Sequence, residues 1–333
     1  MNAMLHIHNG DSTAGTARQA KIPGEHLPWR EALVCGPAPE NLSEQEFLKV
    51  RAEHLANAYG IDVEKSKAEL RVQHDALANF SDHEEVVLWF EHDLFCQVQL
   101  IYLLNWFSRR ELGKTNLSLI CIDKFPGIQD FRGLGQLNEQ QLESLSSTRR
   151  KVASSQLNLG SKAWQAYGSS TPTEIESLLK SGTGALPFLE AALTKHFQRF
   201  PSVRNGLGHV ANVSLQLLAN GNRDFKSLFS AFGRREPLYG FGDAQLFLEL
   251  KRLANARRPV LKMSNAAEAT PGDAQQLLNT SFEITDDGQA VMNGEQDFAQ
   301  LNRIDFWLGG VHLRSEEADW RWDEENDELT KAP

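Results

Sequence analysis

No stretch of this sequence is long and apolar enough to cross a membrane. The longest apolar runs, such as Val86-Val87-Leu88-Trp89-Phe90, fall far short of the roughly 20 residues a spanning helix needs. Met1 to Gly10 lacks the basic start and extended apolar core of a secretory signal. Cysteine is scarce: Cys35, Cys96 and Cys121 form no Cys-x-x-Cys pair and leave an odd one out. Reduced thiols in a cytosol account for that better than a disulfide framework, so a soluble cytoplasmic protein is expected. There is no Gly-x-Ser-x-Gly elbow, no P-loop and no full Gly-x-Gly-x-x-Gly fingerprint, which weakens serine hydrolase, P-loop NTPase and ordinary dinucleotide readings. Without His-Glu-x-x-His or clustered Cys/His spacing, no zinc ligand set is assigned. Internal repeats and low-complexity tracts are absent as well.

What is present suits a globular protein. Of the 333 residues, 41% are hydrophobic and 23% charged, enough for a sizeable core, and the length favours more than one domain. A formal net charge of −10 argues against a protein that coats nucleic acid with its whole surface. The charge is uneven. Between Pro201 and Lys262 ten basic residues face four acidic ones, whereas Glu316 to Glu328 carries eight acids against Arg321 alone.

The alternation Leu5-His6-Ile7-His8 reads as a short strand, followed by a turn and a helix from Thr13 to Ala20. Glu25 to Trp29 is a second extended segment, and Gly36-Pro37-Ala38-Pro39 breaks the chain. Ser43 to Phe80 is helical, opening on a capping box at Ser43-Glu44-Gln45-Glu46. Glu85 to Phe90 and Leu117 to Ile122 read as strands buried on both faces, separated by a helix after Asp93. Strands alternating with helices imply a parallel sheet. The fold class is therefore α/β, a Rossmann-like parallel sheet with flanking helices over residues 1–128. A mainly helical region follows over 129–200, then a winged-helix-like unit with a β-hairpin over 201–323 and a polar tail over 324–333. That unit would comprise three helices and a hairpin turning at Asp286-Asp287-Gly288, and its third helix would present Gln245, Glu249, Lys251 and Arg252. The same stretch contains a polar loop from Ala266 to Gln275.

In an open parallel sheet, ligands bind outside the carboxyl ends of the strands. Three polar clusters fall there: Asn9-Gly10-Asp11-Ser12, Glu91-His92-Asp93 and Asp123-Lys124. At the first, Gly10 permits a tight turn, and free amides at the helix start favour a phosphate or carboxylate. Asp11 and Ser12 as simple helix caps is the alternative. At the second, neighbouring carboxylates raise one another's pKa, and a histidine between them titrates near neutrality, which suits acid–base work. Equally, Asp93 could cap a helix while Glu91 and His92 pair with arginines. Asp11, Glu91, Asp93 and Asp123 together could hold Mg²⁺ against a phosphate. Arg30, between Trp29 and Glu31, is either an anion clamp or half of an Arg–Glu ion pair in a turn. His6 and His8 are expected to be structural.

These residues resemble the uncharacterised bacterial family catalogued as domain of unknown function 1835. The similarity rests on Leu5-His6-Ile7-His8-Asn9-Gly10-Asp11-Ser12, on Ile22-Pro23-Gly24-Glu25 with Trp29-Arg30-Glu31-Ala32-Leu33, and on Gly36-Pro37. It continues in Leu88-Trp89-Phe90-Glu91-His92-Asp93-Leu94-Phe95-Cys96-Gln97, so it spans roughly residues 4–125. Longer relatives share Ala185-Leu186-Pro187-Phe188-Leu189 and Gly309-Gly310-Val311-His312-Leu313, while Gly208-His209-Val210-Ala211-Asn212 departs from their pattern of a polar helix start. The resemblance implies a bacterial protein in which the turn and the Glu-His-Asp triplet belong to one domain. It supplies no activity.

The reading that follows is a site for an anionic, phosphorylated or nucleotide-like small molecule. Glu91, His92 and Asp11 would be its catalytic candidates, and Asn9, Gly10, Ser12, Arg30, Asp93, Gln97 and Asp123 would bind the ligand. The reaction would be hydrolysis or transfer of a phosphate- or sugar-type group, with Mg²⁺ as a possible cofactor. The alternative is a ligand-sensing regulator whose C-terminal unit contacts DNA or a protein. Nucleic acid is the less favoured partner because two aspartates at a wing tip repel phosphates. The oligomeric state is left open.

Overall fold

The computed structural model describes residues 4–264, 271, 273–314 and 320–331. The sheet forms as the alternation predicts. Strand β1 (Met4–Asn9) leads through helix α1 (Asp11–Gln19) to β2 (Glu25–Trp29), and the chain then passes a two-residue strand β3 (Gly36–Pro37). The helical stretch expected from Ser43 to Phe80 is two helices, α2 (Glu44–Tyr59) and α3 (Val63–Ala78). Gly60 ends α2 in a left-handed turn at φ +68°, and the Asp62 side chain accepts from the Lys65 N–H to start α3. The capping box at Ser43 and Glu46 is present. Then come β4 (Glu85–Glu91), α4 (Leu94–Ser108) and β5 (Asn116–Ile122). The strand order is β2-β1-β4-β5, all parallel, with a two-residue antiparallel strand at the far edge. The chain steps outward from β1 to β2 and then back past β1 to β4, so the connections diverge between β1 and β4. That divergence opens a crevice at the strand ends.

Burial explains why these strands carry so few polar residues. All of Val86 to Glu91 is buried, and α4 is buried on every side except at Phe95 and Ser108. A helix that apolar belongs in the middle of a domain. Past α5 (Glu139–Leu145) and the edge strand β6 (Arg150–Lys151), the helical region consists of α6 (Ser154–Gly168), α7 (Thr173–Ser181) and α8 (Leu189–Phe197). This region packs on the first domain: α6 and α8 lie against α4, and Gly160 lets the Leu104 side chain press against the α6 backbone. His6 and His8 are structural, as expected. They stack with His26 at 4.9 and 5.2 Å, and Trp89 Nε1 donates to His6 Nδ1 at 3.0 Å. Burial pushes His6 down to about 4 and His8 well below its usual range, so both are neutral.

The C-terminal unit has the element order of a winged helix: α9 (His209–Ala219), α10 (Phe225–Arg235), α11 (Asp243–Ala254), then strand β7 (Leu261–Ser264). After α12 (Ala274–Leu278), β8 (Ser281–Ile284) pairs antiparallel with β7 and also bridges Asp224, ahead of α10. The departure at Gly208–Asn212 does not prevent the first helix from forming. The hairpin turn expected at Asp286-Asp287-Gly288 is wrong. Those residues open helix α13 (Asp286–Met292), because Thr285 caps it by accepting from the Gly288 N–H. The two aspartates suit a helix N-terminus, and Asp287 also pairs with Arg258. The hairpin is instead β7–β8, whose tip falls largely outside the described residues, as do parts of the Ala266–Gln275 loop and of the acidic Glu316–Glu328 stretch.

The third helix does not present the free face expected of it. Every residue of α11 is at least partly covered. Gln245 donates to the Tyr59 hydroxyl at 2.9 Å, and Arg252 pairs with Glu249 and lies 4.6 Å from the Phe306 ring. It packs on α9, β7 and α12, and α2, α14 (Phe298–Leu301) and β9 (Asp305–Gly309) lie beside it, the last followed by β10 (Val311–Arg314). A final hairpin, β11 (Trp320–Asp323) with β12 (Glu328–Lys331), completes the chain. β3 pairs with β9, which joins the first domain to the last in one sheet. No helix among the described residues is long and apolar enough to cross a membrane.

Candidate functional site

At the β1–β4 divergence the backbone turns through Gly10, at φ +85°, a conformation that L side chains rarely adopt. Gly10 is the N-cap of α1, so neither Asp11 nor Ser12 caps the helix by its side chain. Asp11 instead receives two hydrogen bonds from Arg30, Nε to Oδ2 and Nη2 to Oδ1, both 2.7 Å. The side chains are 57% and 61% exposed, so Arg30 is committed to a surface pair and is not a free anion clamp. Glu31, its neighbour in sequence, turns inward and pairs with the fully buried Arg51 at 2.7 Å. Neither half of the Trp29-Arg30-Glu31 expectation therefore holds, because both side chains find partners elsewhere in the chain. Ser12 is exposed, and Gly135 of the loop after β5 rests against it.

The Glu-His-Asp triplet behaves differently. Glu91 is the last residue of β4 and Asp93 the N-cap of α4, so both carboxylates are drawn inward at the strand end, with 5% and 3% exposure. One Glu91 oxygen, Oε2, accepts from the Cys96 thiol at 2.7 Å, and Oε1 accepts from the Leu134 N–H at 2.7 Å. Asp93 Oδ1 accepts from the Cys96 N–H at 2.9 Å. Asn9 reaches in from β1: its Nδ2 donates to Cys96 Sγ at 2.6 Å, and its Oδ1 accepts from Gln99 at 2.8 Å. Gln97 holds the strand end by donating to the Glu91 carbonyl at 2.6 Å. No lysine or arginine forms an ion pair with either carboxylate among the described residues.

Two buried carboxylates without a cation cannot both ionise cheaply. Burial raises Glu91 above the usual carboxylate range. Burial, and then the Glu91 charge, raise Asp93 to about 7. The Cys96 thiol is driven well above its ordinary value by burial and by the same two carboxylates, so it stays protonated and acts as a donor. The two acids are coupled, so their titration belongs to both groups together.

The expected four-carboxylate Mg²⁺ site does not assemble. Among the described residues, the group at metal-ligand spacing is Glu91, Asp93 and Cys96, with donor atoms within 4.8 Å of one another. Asp11 is tied to Arg30, and Asp123 is exposed beyond the end of β5. A cation could enter the Glu91–Asp93–Cys96 group only by displacing the hydrogen bonds that now fill it. His92 is half-buried with its ring 6.1 Å from that of Phe188, and its Nδ1 is enclosed without a partner. Among the described residues it pairs with no arginine, so of the structural alternative only the Asp93 cap is present.

Glycines bring the cover close. Gly133 and Gly135 belong to the loop over the strand ends, where a Cβ on Gly133 would meet Glu91 Oε1 at 3.0 Å. Gly240, at φ +62°, leaves no room for a Cβ against the Asp93 carboxyl. On the far side of Gly240 and the loop lies a cleft of about 430 Å³, lined by Arg132, Lys226, Ser230, Gly233 and Glu236 among others. Arg132 and Lys226 are exposed there, while Glu236 is neutralised by Lys195 at 2.8 Å and His209 at 2.9 Å. The site thus consists of a buried acid pair behind a glycine-thin wall, with a cleft bearing Arg132 and Lys226 beyond it.

Sequence reasoning reached Asn9, Glu91, Asp93 and Gln97 but missed Cys96, the Gly133–Leu134 cover, Gly240, Arg132 and Lys226. Cys96 could have been found, since the third residue after an N-cap aspartate faces its carboxylate. The others arrive from distant segments and leave no local pattern. No family model matches this chain, and no curated protein matches it.

Proposed function

We propose that the protein binds an anionic, phosphorylated or nucleotide-like small molecule in the cleft between the strand ends and α10, and that the Glu91–Asp93 pair serves it as general acid and base. The observation that carries the reading is the pair itself: two buried carboxylates, unpaired with any lysine or arginine among the described residues, and one of them poised near neutrality. Arg132 and Lys226 supply the positive charge that an anion requires. Entry of the reacting group to Asp93 needs the Gly240 segment or the Gly133–Gly135 loop to swing aside, and these glycines provide the backbone freedom. The chemistry is hydrolysis or transfer of a phosphate- or sugar-type group. The segments that resemble domain of unknown function 1835 include both walls of this edge, Leu5–Ser12 and Leu88–Gln97, which supports the likeness as one of the site. Three free cysteines support a reducing, cytoplasmic setting. Against the alternative, a regulator whose last unit binds DNA or a protein, α11 offers no fully exposed residue as a reading face.

The test is a thermal-shift screen against nucleotides and phosphosugars, with and without Mg²⁺, on wild type, Asp93→Asn and an Arg132→Gln/Lys226→Met double variant. A ligand at about 100 times its Kd adds roughly 2.7 kcal/mol, which such a screen reads readily. Wild type and Asp93→Asn should respond and the double variant should not. A panel with no responder, or a response indifferent to Arg132 and Lys226, contradicts the reading.

A further inference from the structure

A second cavity, of about 280 Å³, lies where the N-terminal and C-terminal parts of the chain meet. Its walls include Cys35 and His54 from the first domain, Arg199 from the end of the helical region, and Phe241, Glu249 and Trp307 from the last. The volume sits at the small end for ligand sites, and the lining is the usual mixture of apolar surface with a few convergent polar groups.

Its charged side chains balance, two arginines against two acids, but two polar groups in its wall lack partners. Glu249 is fully engaged by Arg252, whose Nη2 and Nε reach its two oxygens at 2.6 and 3.2 Å. Arg199 acts on Glu249 only behind Arg252. Asp305, at the rim, is 70% exposed and engaged by His312. His54 is neutral, held down to about 4 by burial and the nearby Arg51. Arg199 is half-buried and close enough to Glu249 and Tyr167 to act on both. Its Nη1 is enclosed with no hydrogen-bond partner, and among the described residues it forms no ion pair. The His54 Nε2 is likewise enclosed and unpartnered. A guanidinium N–H and an imidazole nitrogen enclosed without partners leave two polar positions for a ligand to satisfy.

We propose that this cavity is a second ligand site, specific for a small organic carboxylate with an apolar or aromatic body. The carboxylate pairs with Arg199, with His54 as a second polar contact, and the body lies against Phe241 and Trp307. A planar carboxylate matches the guanidinium fork and brings the smallest charge an anion can carry. A phosphate dianion would bring twice that charge beside Glu249 and Asp305. The site shares the Phe241 ring with the strand-end cleft and nothing else. It stands independently of the function proposed for that cleft.

Isothermal titration calorimetry of the full chain with benzoate and 3-methylbutanoate, and with benzamide and inorganic phosphate as controls, tests this. One carboxylate should bind saturably at one site per chain, with benzamide and phosphate at least about tenfold weaker. Arg199→Met, which keeps the bulk and removes the charge, should weaken carboxylate binding by about tenfold or more. Ala58→Phe, which fills the cavity from α2, should abolish it and serves as the reading if Arg199→Met does not fold. Asp93→Asn should leave it unchanged, separating this site from the strand-end one. Failure of both carboxylates to bind wild type, equal binding of phosphate, or full affinity in a folded Arg199→Met or Ala58→Phe overturns the proposal.

Discussion

The first domain buries acids in two places, and they are solved in opposite ways. Glu31 lies against Arg51, whose guanidinium also donates to the Ala32, Cys35 and Pro37 carbonyls. That cluster is neutral overall, and it locks the segment that carries β3. Glu91 and Asp93 are equally buried but lie against each other, a thiol and an amide, with no cation. A matched buried pair is what a fold uses to fix a loop. A mismatched pair works against the fold, and it persists where a proton has to be held and released.

The largest effect should come from breaking the matched pair. Arg51→Met strands a buried carboxylate and removes three carbonyl contacts, and it should cost about 3–5 kcal/mol by urea unfolding. A loss under about 1 kcal/mol would erase the contrast. Asp93→Asn tests the other side. Asparagine caps a helix as well as aspartate does, so only the ionisation is lost. An acid raised from 3.8 to about 7 stabilises the fold fully below pH 3.8, and that contribution disappears as pH rises through 7. Relative to wild type, Asp93→Asn should therefore gain stability with pH across that window, by up to about 4 kcal/mol at pH 8. A flat difference would mean that Asp93 is not raised.

The histidine stack supplies the reverse sign and sharpens the comparison. His6 is lowered from 6.5 to about 4, so the unfolded chain takes up protons first as pH falls. Stability is lost between pH 6.5 and 4, by up to about 3 kcal/mol from this group. His6→Gln, which keeps an acceptor for Trp89, should flatten that slope, and an unchanged slope would assign the acid sensitivity elsewhere. The smallest effect belongs to the exposed Asp11–Arg30 pair. Asp11→Ala should change stability by no more than about 1 kcal/mol, and less in high salt, in a parallel pair of melts.

Local pattern carried much of this architecture. The apolar runs at 86–90 and 117–122, the Asp93 cap and the Ser43 box announced strands and helix starts that formed where expected, because each depends on neighbours within a few residues. The same logic failed at Asp286-Asp287-Gly288. Asp-Gly between apolar runs suits a hairpin, but Thr285 three residues ahead of Gly288 gives a capped helix from the same letters. The candidate site was legible only in part. Glu91 and Asp93 announced themselves by ending an apolar strand, whereas their isolation from cations and their cover by Gly133, Leu134 and Gly240 depend on chain segments 40 to 150 positions away. Arg30 misled for the same reason, since its partner is Asp11 and not the adjacent Glu31.

The central claim is that Glu91 and Asp93 titrate as a coupled pair with one step near neutrality. Carboxyl ¹³C NMR of the folded protein, titrated from pH 4 to 9 with Asp93→Asn and Glu91→Gln as assignments, reads it directly. One step of the pair should appear near pH 7, and Glu91→Gln, which removes the second of the two causes, should lower the Asp93 step while burial keeps it above the ordinary carboxylate range. Two carboxylates both ionised by pH 5 would contradict the account.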